Sequence, residues 1–168
     1  MRSKLLSILG ALTLISACTR VPEAPADATA ARAKLAAIPL DQPVHLAENE
    51  WQAILSPAQF YVMRRSGTER PSSSGNALEH PTGSYVCSAC ANPVFLAAEK
   101  FNSGTGWPSF FQTIRPEAVH AGGGISAIFG TEISCARCRS HLGHLFRDGP
   151  APTGLRYCMN AVALNYQP

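Results

Sequence analysis

The chain has 168 residues, 46% of them hydrophobic and 15% charged, with six cysteines and a net charge of +3. That is one domain's worth of sequence, long enough to bury a core without disulfides to compensate for small size. Fourteen basic residues against 11 acidic ones leave a surplus of only three, too small for gripping a phosphate backbone, so nucleic acid is not the expected partner.

The first 18 residues, MRSKLLSILGALTLISAC, carry cations at Arg2 and Lys4, an apolar run from Leu5 to Ile15, and small residues before a cysteine. This is the pattern of a secretory signal, and its apolar run is too short for a permanent span. Ile15, Ser16, Ala17 and Cys18 resemble a bacterial lipobox, so residues 1–17 are expected to be removed and Cys18 lipidated. An ordinary signal peptide with a free Cys18 is the alternative. Removing residues 1–17 takes away Arg2 and Lys4 and lowers the net charge to +1. Residues 18–45 are rich in alanine and proline and read as a tether, with transient helix at most near Thr29 to Ala37; the folded domain is expected at 46–168. The expected location is a bacterial envelope, lipid-anchored, with Thr19 after Cys18 favouring the outer membrane of a Gram-negative cell.

Helical signals are confined to the start of the domain. Glu48 to Leu55 suits a short helix. A second is better marked, with Ser56 as N-cap, Pro57 at the first position, Gln59 completing a capping box, and Gly67 as the stop. Beyond it, glycine, serine and proline punctuate short apolar runs (SYVC, PVFL, ISAIFG, GLRYCMNAVAL), the texture of a mainly β, antiparallel domain with long loops. The glycines at 122–124 lack the Lys-Ser or Lys-Thr of a phosphate loop and read as a hairpin. In the last apolar run, alternation puts Leu155, Tyr157, Met159 and Ala161 on one face and Arg156, Cys158 and Asn160 on the other. A merely solvated polar face would look the same.

Cys87 and Cys90 form one Cys-x-x-Cys and Cys135 and Cys138 another, together the four thiolates that a tetrahedral structural Zn²⁺ requires. The 44 residues between the pairs exceed compact zinc-ribbon spacing, so an intervening subdomain must return the chain to the site. Disulfides are the rival in an exported protein. A thioredoxin-like redox pair lacks its βαβ context. With four cysteines for metal and one for lipid, Cys158 is left alone, and an exported free thiol is a liability unless it is used.

His141 and His144 lie three residues apart, with Asp148 four beyond the second. A metal-binding pair lacks a third ligand nearby. General acid chemistry suits an imidazole oriented by a neighbour, and two histidines satisfied in loop hydrogen bonds remain the bland reading.

Taken together, these segments resemble the B-type methionine sulfoxide reductases. The resemblance runs from about Trp51 to Leu164 and rests on GTERP at 67–71, the two cysteine pairs, FNSGTGWPSFF at 101–111 and HLGHLFRDGPAPTGLRYCMN at 141–160, in the family's order. It implies two small antiparallel sheets, a Zn²⁺ held by Cys87, Cys90, Cys135 and Cys138, and reduction of the R epimer of methionine sulfoxide in oxidised proteins. It also implies Cys158 as nucleophile, with His144, Asp148 and Asn160 as active-site polar residues. His141 and Arg156 fall in the same motifs, while Trp107 and Phe110 are matched to the wall around the substrate methyl group. Arg156 supplies positive potential expected to lower the thiol's pKa, and Asp148 is expected to orient His144 or a water.

One departure from the family matters. Many members carry a resolving cysteine where this chain has Thr105, and a hydroxyl cannot form the recycling disulfide. The expected partner is therefore an external thiol reductant, a thioredoxin-like domain or a small thiol. Ser72 to Ser74 stand where relatives place an aromatic residue. A zinc-stabilised module that binds methionine or its sulfoxide without turnover is the competing function, and a disulfide oxidoreductase is the third.

Overall fold

The computed structural model describes residues 26–73, 79–122 and 130–168. The leader, Cys18, Ser74 and most of the glycine run at 122–124 lie outside the described residues.

Three short helices lead: α1 (Ala28–Ala36), α2 (Glu48–Ile54) and α3 (Pro57–Arg65). Asp27 caps α1 by accepting the Thr29 N–H at 2.8 Å. In α3 the capping box forms as the sequence indicates: Ser56 Oγ accepts from the Gln59 N–H, and Gln59 Oε1 accepts from the Ser56 N–H. The helix ends differently from expectation. Ser66, not Gly67, takes the left-handed turn at φ 50°, and the exposed Tyr61 ring packs over the bare Gly67, where a Cβ would lie 2.3 Å from it.

The expected tether is partly built into the fold. Ala31 and Val44 are buried, and Arg137 reaches back to hold the segment between them. Its guanidinium donates to the carbonyls of Ile38 at 2.8 Å, Pro39 at 3.0 Å and Gln42 at 3.1 Å, while its own carbonyl accepts the Val44 N–H at 2.8 Å. Pro39 and Pro43 in this segment suggest an unpacked chain, but a buried cation that needs carbonyl acceptors selects such irregular backbone.

The strands are β1 (Ser84–Cys87), β2 (Pro93–Leu96), β3 (Lys100–Phe101), β4 (Ser109–Phe110), β5 (Val119–Ala121), β6 (Thr131–Cys135), β7 (His141–Phe146), β8 (Arg156–Met159) and β9 (Leu164–Gln167). They make two sheets, ordered β2-β1-β9 and β3-β4-β8-β7-β6-β5, with every described pairing antiparallel. The architecture is thus mainly β, with short helices before it. Among the described residues no helix is long and apolar enough to cross a membrane.

Between the sheets sits an aromatic core. Phe95 of β2 stacks on Phe110 of β4 with ring centroids 4.2 Å apart, and Tyr85 of β1 meets Phe110 edge-on at 5.1 Å. Tyr157 of β8 closes on Phe95 at 5.7 Å. Each such ring contributes about 1.5–3 kcal/mol on burial. Phe110, Tyr157 and Leu145 are register partners along one row of the larger sheet, so this face is its apolar side. The opposite face is left for chemistry.

Candidate active site

On that opposite face one row crosses four adjacent strands. Ser109 of β4 pairs with Cys158 of β8, Cys158 with His144 of β7, and His144 with Glu132 of β6. Directly opposed residues on neighbouring strands share a face, with Cβ atoms about 4.5–5.5 Å apart. The nucleophile candidate therefore has an imidazole on one side and a hydroxyl on the other.

A β-bulge adds the second histidine. A spacing of three would place His141 and His144 on opposite faces of a regular strand. The β6–β7 register, however, passes from Ile133↔Gly143 to Ser134↔His141, which leaves Leu142 as the extra residue. The two imidazoles consequently meet edge-on, 5.2 Å between centroids. His141 is buried, and its Nδ1 lies 2.8 Å from Glu132 Oε1, whereas its Nε2 has no hydrogen-bond partner among the described residues. Gly143 is required at this point because a Cβ there would fall 2.2 Å from the Cys158 carbonyl oxygen.

Charges around the thiol differ from expectation in two ways. Asp148 does not hold His144; it grips Arg156, with Arg156 Nε and Nη2 donating to its two oxygens at 2.9 and 2.8 Å. The guanidinium also lies 4.2 Å from the Phe146 ring centroid. Nor does the Cys158 pKa fall. Burial pushes the thiol up, against opposing pulls from the Arg156 charge and from hydrogen bonds with Thr105, Arg156 and Ser109. His144 is pushed down, chiefly by burial and then by the neighbouring His141, with Glu132 pulling the other way. At neutral pH the resting pair is therefore a thiol beside a neutral imidazole.

Thr105 stands in the loop before β4 with its Oγ1 4.0 Å from Cys158 Sγ. Ser103 Oγ bridges it to Ser109, 2.8 Å from each hydroxyl oxygen. Trp107, in the same loop, is half-buried, and its indole N–H donates to the Glu69 carbonyl at 3.2 Å. Asn160 is buried, its Oδ1 accepting the Glu69 N–H at 3.0 Å and its Nδ2 donating to the Leu142 carbonyl at 3.1 Å. That amide holds chain segments together. Phe110, expected at the substrate wall, is instead fully buried in the core, because alternation along β4 turns Ser109 toward the thiol and Phe110 away.

Sequence reasoning missed Glu132 and Glu69. A cross-strand place for Glu132 was recoverable from pairing TEISC against HLGHLF; the contacts of Glu69 span about ninety residues of sequence and left no local sign.

The four paired cysteines also converge. Their sulfurs all lie within 4.8 Å of one another, with Cys87 and Cys138 at 3.7 Å and Cys90 and Cys135 at 3.6 Å. All four are free thiols and buried. Tetrahedral bonds of about 2.3 Å to a metal would set sulfurs about 3.8 Å apart, so the donor set fits a thiophilic cation. Hydrogen bonding among the crowded thiols raises the Cys87 and Cys90 pKa values, reinforced by burial, and the same neighbours lower that of Cys135. Arg64 donates to the Cys138 carbonyl at 3.3 Å, and Asn92 Nδ2 donates to Cys135 Sγ at 3.5 Å, giving the knuckles a second layer of support.

Comparison with known proteins agrees with this geometry. The SelR domain family matches residues 55–168. Among curated proteins, "Peptide methionine sulfoxide reductase MsrB" of Methanosarcina barkeri is 46% identical over 125 residues, covering 74% of this chain and 88% of that protein. The MsrB of Pseudomonas entomophila is 48% identical over 120 residues, covering 71% and 92% respectively. That of Bradyrhizobium diazoefficiens is 46% identical over 129 residues, covering 76% and 93%.

Proposed function

This chain belongs to the SelR-domain family of B-type methionine sulfoxide reductases, and from that we propose that it reduces methionine-R-sulfoxide through Cys158 and is regenerated by an external thiol. The observation that carries the reading is the pairing of Cys158 with His144 across β7 and β8, beside a threonine hydroxyl rather than a second thiol.

His144, neutral at rest, takes the Cys158 proton as substrate enters. The thiolate attacks the sulfoxide sulfur to form an S–S bond, and the proton returns from His144 to the oxygen, which departs as hydroxide when the S–O bond breaks. Hydroxide then attacks Cys158 Sγ, and the S–S bond breaks with its electron pair going to the substrate sulfur. Oxygen ends on Cys158 as a sulfenic acid while methionine leaves, so sulfur of the substrate is reduced and that of the enzyme oxidised. Glu132 holds His141 at Nδ1 and so fixes the ring that packs edge-on against His144. Arg156 favours the thiolate by its charge, and Trp107 forms the wall for the substrate methyl group. A first external thiol then releases water and forms a mixed disulfide, and a second restores Cys158.

Cys87, Cys90, Cys135 and Cys138 would hold a structural Zn²⁺, whose charge would let all four sulfurs sit deprotonated in a buried site. The leader supports lipidation at Cys18 and an envelope location, where exported proteins with oxidised methionine would be the substrates.

The test is a single-turnover assay with both epimers of a sulfoxide substrate, without and with dithiothreitol. One equivalent of product from the R epimer without reductant, and many with it, is expected. Equal yield from C158S, or product only from the S epimer, would overturn the assignment.

A further inference from the structure

Glu69 joins three parts of the site. Its carbonyl accepts the Trp107 indole N–H at 3.2 Å, and its N–H donates to Asn160 Oδ1 at 3.0 Å. Its carboxylate receives the N–H groups of Ala161 and Val162, the latter at 3.1 Å, and so caps the tight turn at 161–163 that follows the nucleophile strand. Three residues on, the Ser72 N–H donates to the Gly106 carbonyl at 2.6 Å. Gly106 has φ +84°, and a Cβ there would lie 2.8 Å from Ser72 Oγ, so the two loops meet without room for a side chain.

We propose that Glu69 is the positioning residue that fixes Trp107 relative to Cys158 and thereby sets how well the site holds the methyl end of its substrate. The inference rests on the function proposed above. Its physical basis is the two-oxygen grip of the carboxylate on consecutive main-chain donors at the end of the nucleophile strand. Each bond is charge-assisted, and the donors belong to a turn whose first N–H groups lack partners within it. With the carboxylate pinned to the turn, the main chain of the same residue is pinned too, and that main chain carries the indole. A wall displaced by about 1 Å can lower kcat/KM by up to about 10²-fold.

The variant E69Q keeps the size of the side chain but offers one acceptor and sets an NH₂ group against the other main-chain N–H. Its expected signature is a KM raised about tenfold with the saturating single-turnover rate retained, which is the mark of lost binding rather than lost chemistry. Fluorotryptophan labelling gives one resonance for each of the two tryptophans, Trp51 and Trp107. In E69Q that of Trp107 should shift and broaden while that of Trp51, buried in the core, stays in place. E69D, which keeps two acceptors on a shorter arm, should fall between.

An unchanged KM with an unmoved Trp107 resonance overturns the proposal. So does loss of the folded state in both variants, which would make Glu69 a general fold determinant. The resonance needs no substrate, so a wild-type enzyme inert toward both epimers would overturn the proposed reaction separately, while the Trp107 signal would still decide the positioning role.

Discussion

Thr105 Oγ1 lies 4.0 Å from Cys158 Sγ, across the gap between a loop and the nucleophile strand. A sulfur in that place would need only a small approach to reach the roughly 2.05 Å of a disulfide. T105C should therefore acquire an internal recycling route. After one turnover without reductant, the wild type should leave a sulfenic acid that dimedone traps, and T105C should leave a disulfide between positions 105 and 158 with no dimedone adduct. A persistent adduct in T105C would show that the two positions cannot close.

Glu132 has the same row position beside His144 that Ser109 has beside Cys158, and it also holds His141. Removing its charge has two consequences. His141 loses the partner that fixes its orientation, which should lower kcat about tenfold or more in E132Q. His144 loses a carboxylate that pulls its pKa up, so that pKa should fall further below the ordinary histidine value. The proposed reaction starts from a neutral His144 in the free enzyme, so the acidic limb of kcat/KM should move to lower pH. A limb that stays put would show that Glu132 does not act on His144.

The Arg156–Asp148 pair predicts opposite shifts from its two members. Burial holds the Cys158 pKa above the ordinary thiol value, and Arg156 is the first of the groups opposing it. R156Q removes that cation, so the thiolate should form at higher pH than in the wild type. D148N removes the anion that neutralises Arg156, so the thiolate should form at lower pH. Asp148 is well exposed, so solvent should keep its effect the smaller of the two. The pH dependence of Cys158 alkylation by iodoacetamide reads both directly. Shifts of the same sign would show that the pair acts through packing on Phe146 rather than through charge.

Much of this site could be read from local pattern. Alternation along GLRYCMNAVAL placed Cys158 and Arg156 on one face and Tyr157 and Met159 on the other, and the aromatic core confirms that division. The capping box of α3 followed from spacing, and the gathering of the four cysteines from their occurrence as two Cys-x-x-Cys pairs. What escaped depended on register and distance. The bulge at Leu142, which turns His141 onto the face of His144, is a property of how β6 and β7 pair rather than of either segment. Asp148 lies close to His144 in sequence, yet Arg156 is the better partner because a guanidinium offers two donors in the plane of a carboxylate. Glu69 and Arg137 act through main-chain atoms of distant segments, and no sequence motif records such bonds.

Arg137 links the cysteine cluster to the N-terminal segment, so removal of a cation from the four cysteines would be visible far from them. It lies between Cys135 and Cys138, is buried, and donates to the Cys90 carbonyl on the facing knuckle as well as to Ile38, Pro39 and Gln42. Without a cation, four crowded and buried thiols cannot all ionise, and the knuckles lose the force that holds them together. The guanidinium should then lose its fixed place, and the segment at 38–44 should loosen with it. Chelator-treated protein should be cut by trypsin at Arg32 and Lys34 faster than metal-loaded protein, and it should melt at a lower temperature. R137Q should reproduce the faster cutting with metal still bound, as measured by emission spectrometry. Equal cutting rates in all three samples would show that the segment is held by its own contacts, Ala31 and Val44 foremost, and not through Arg137.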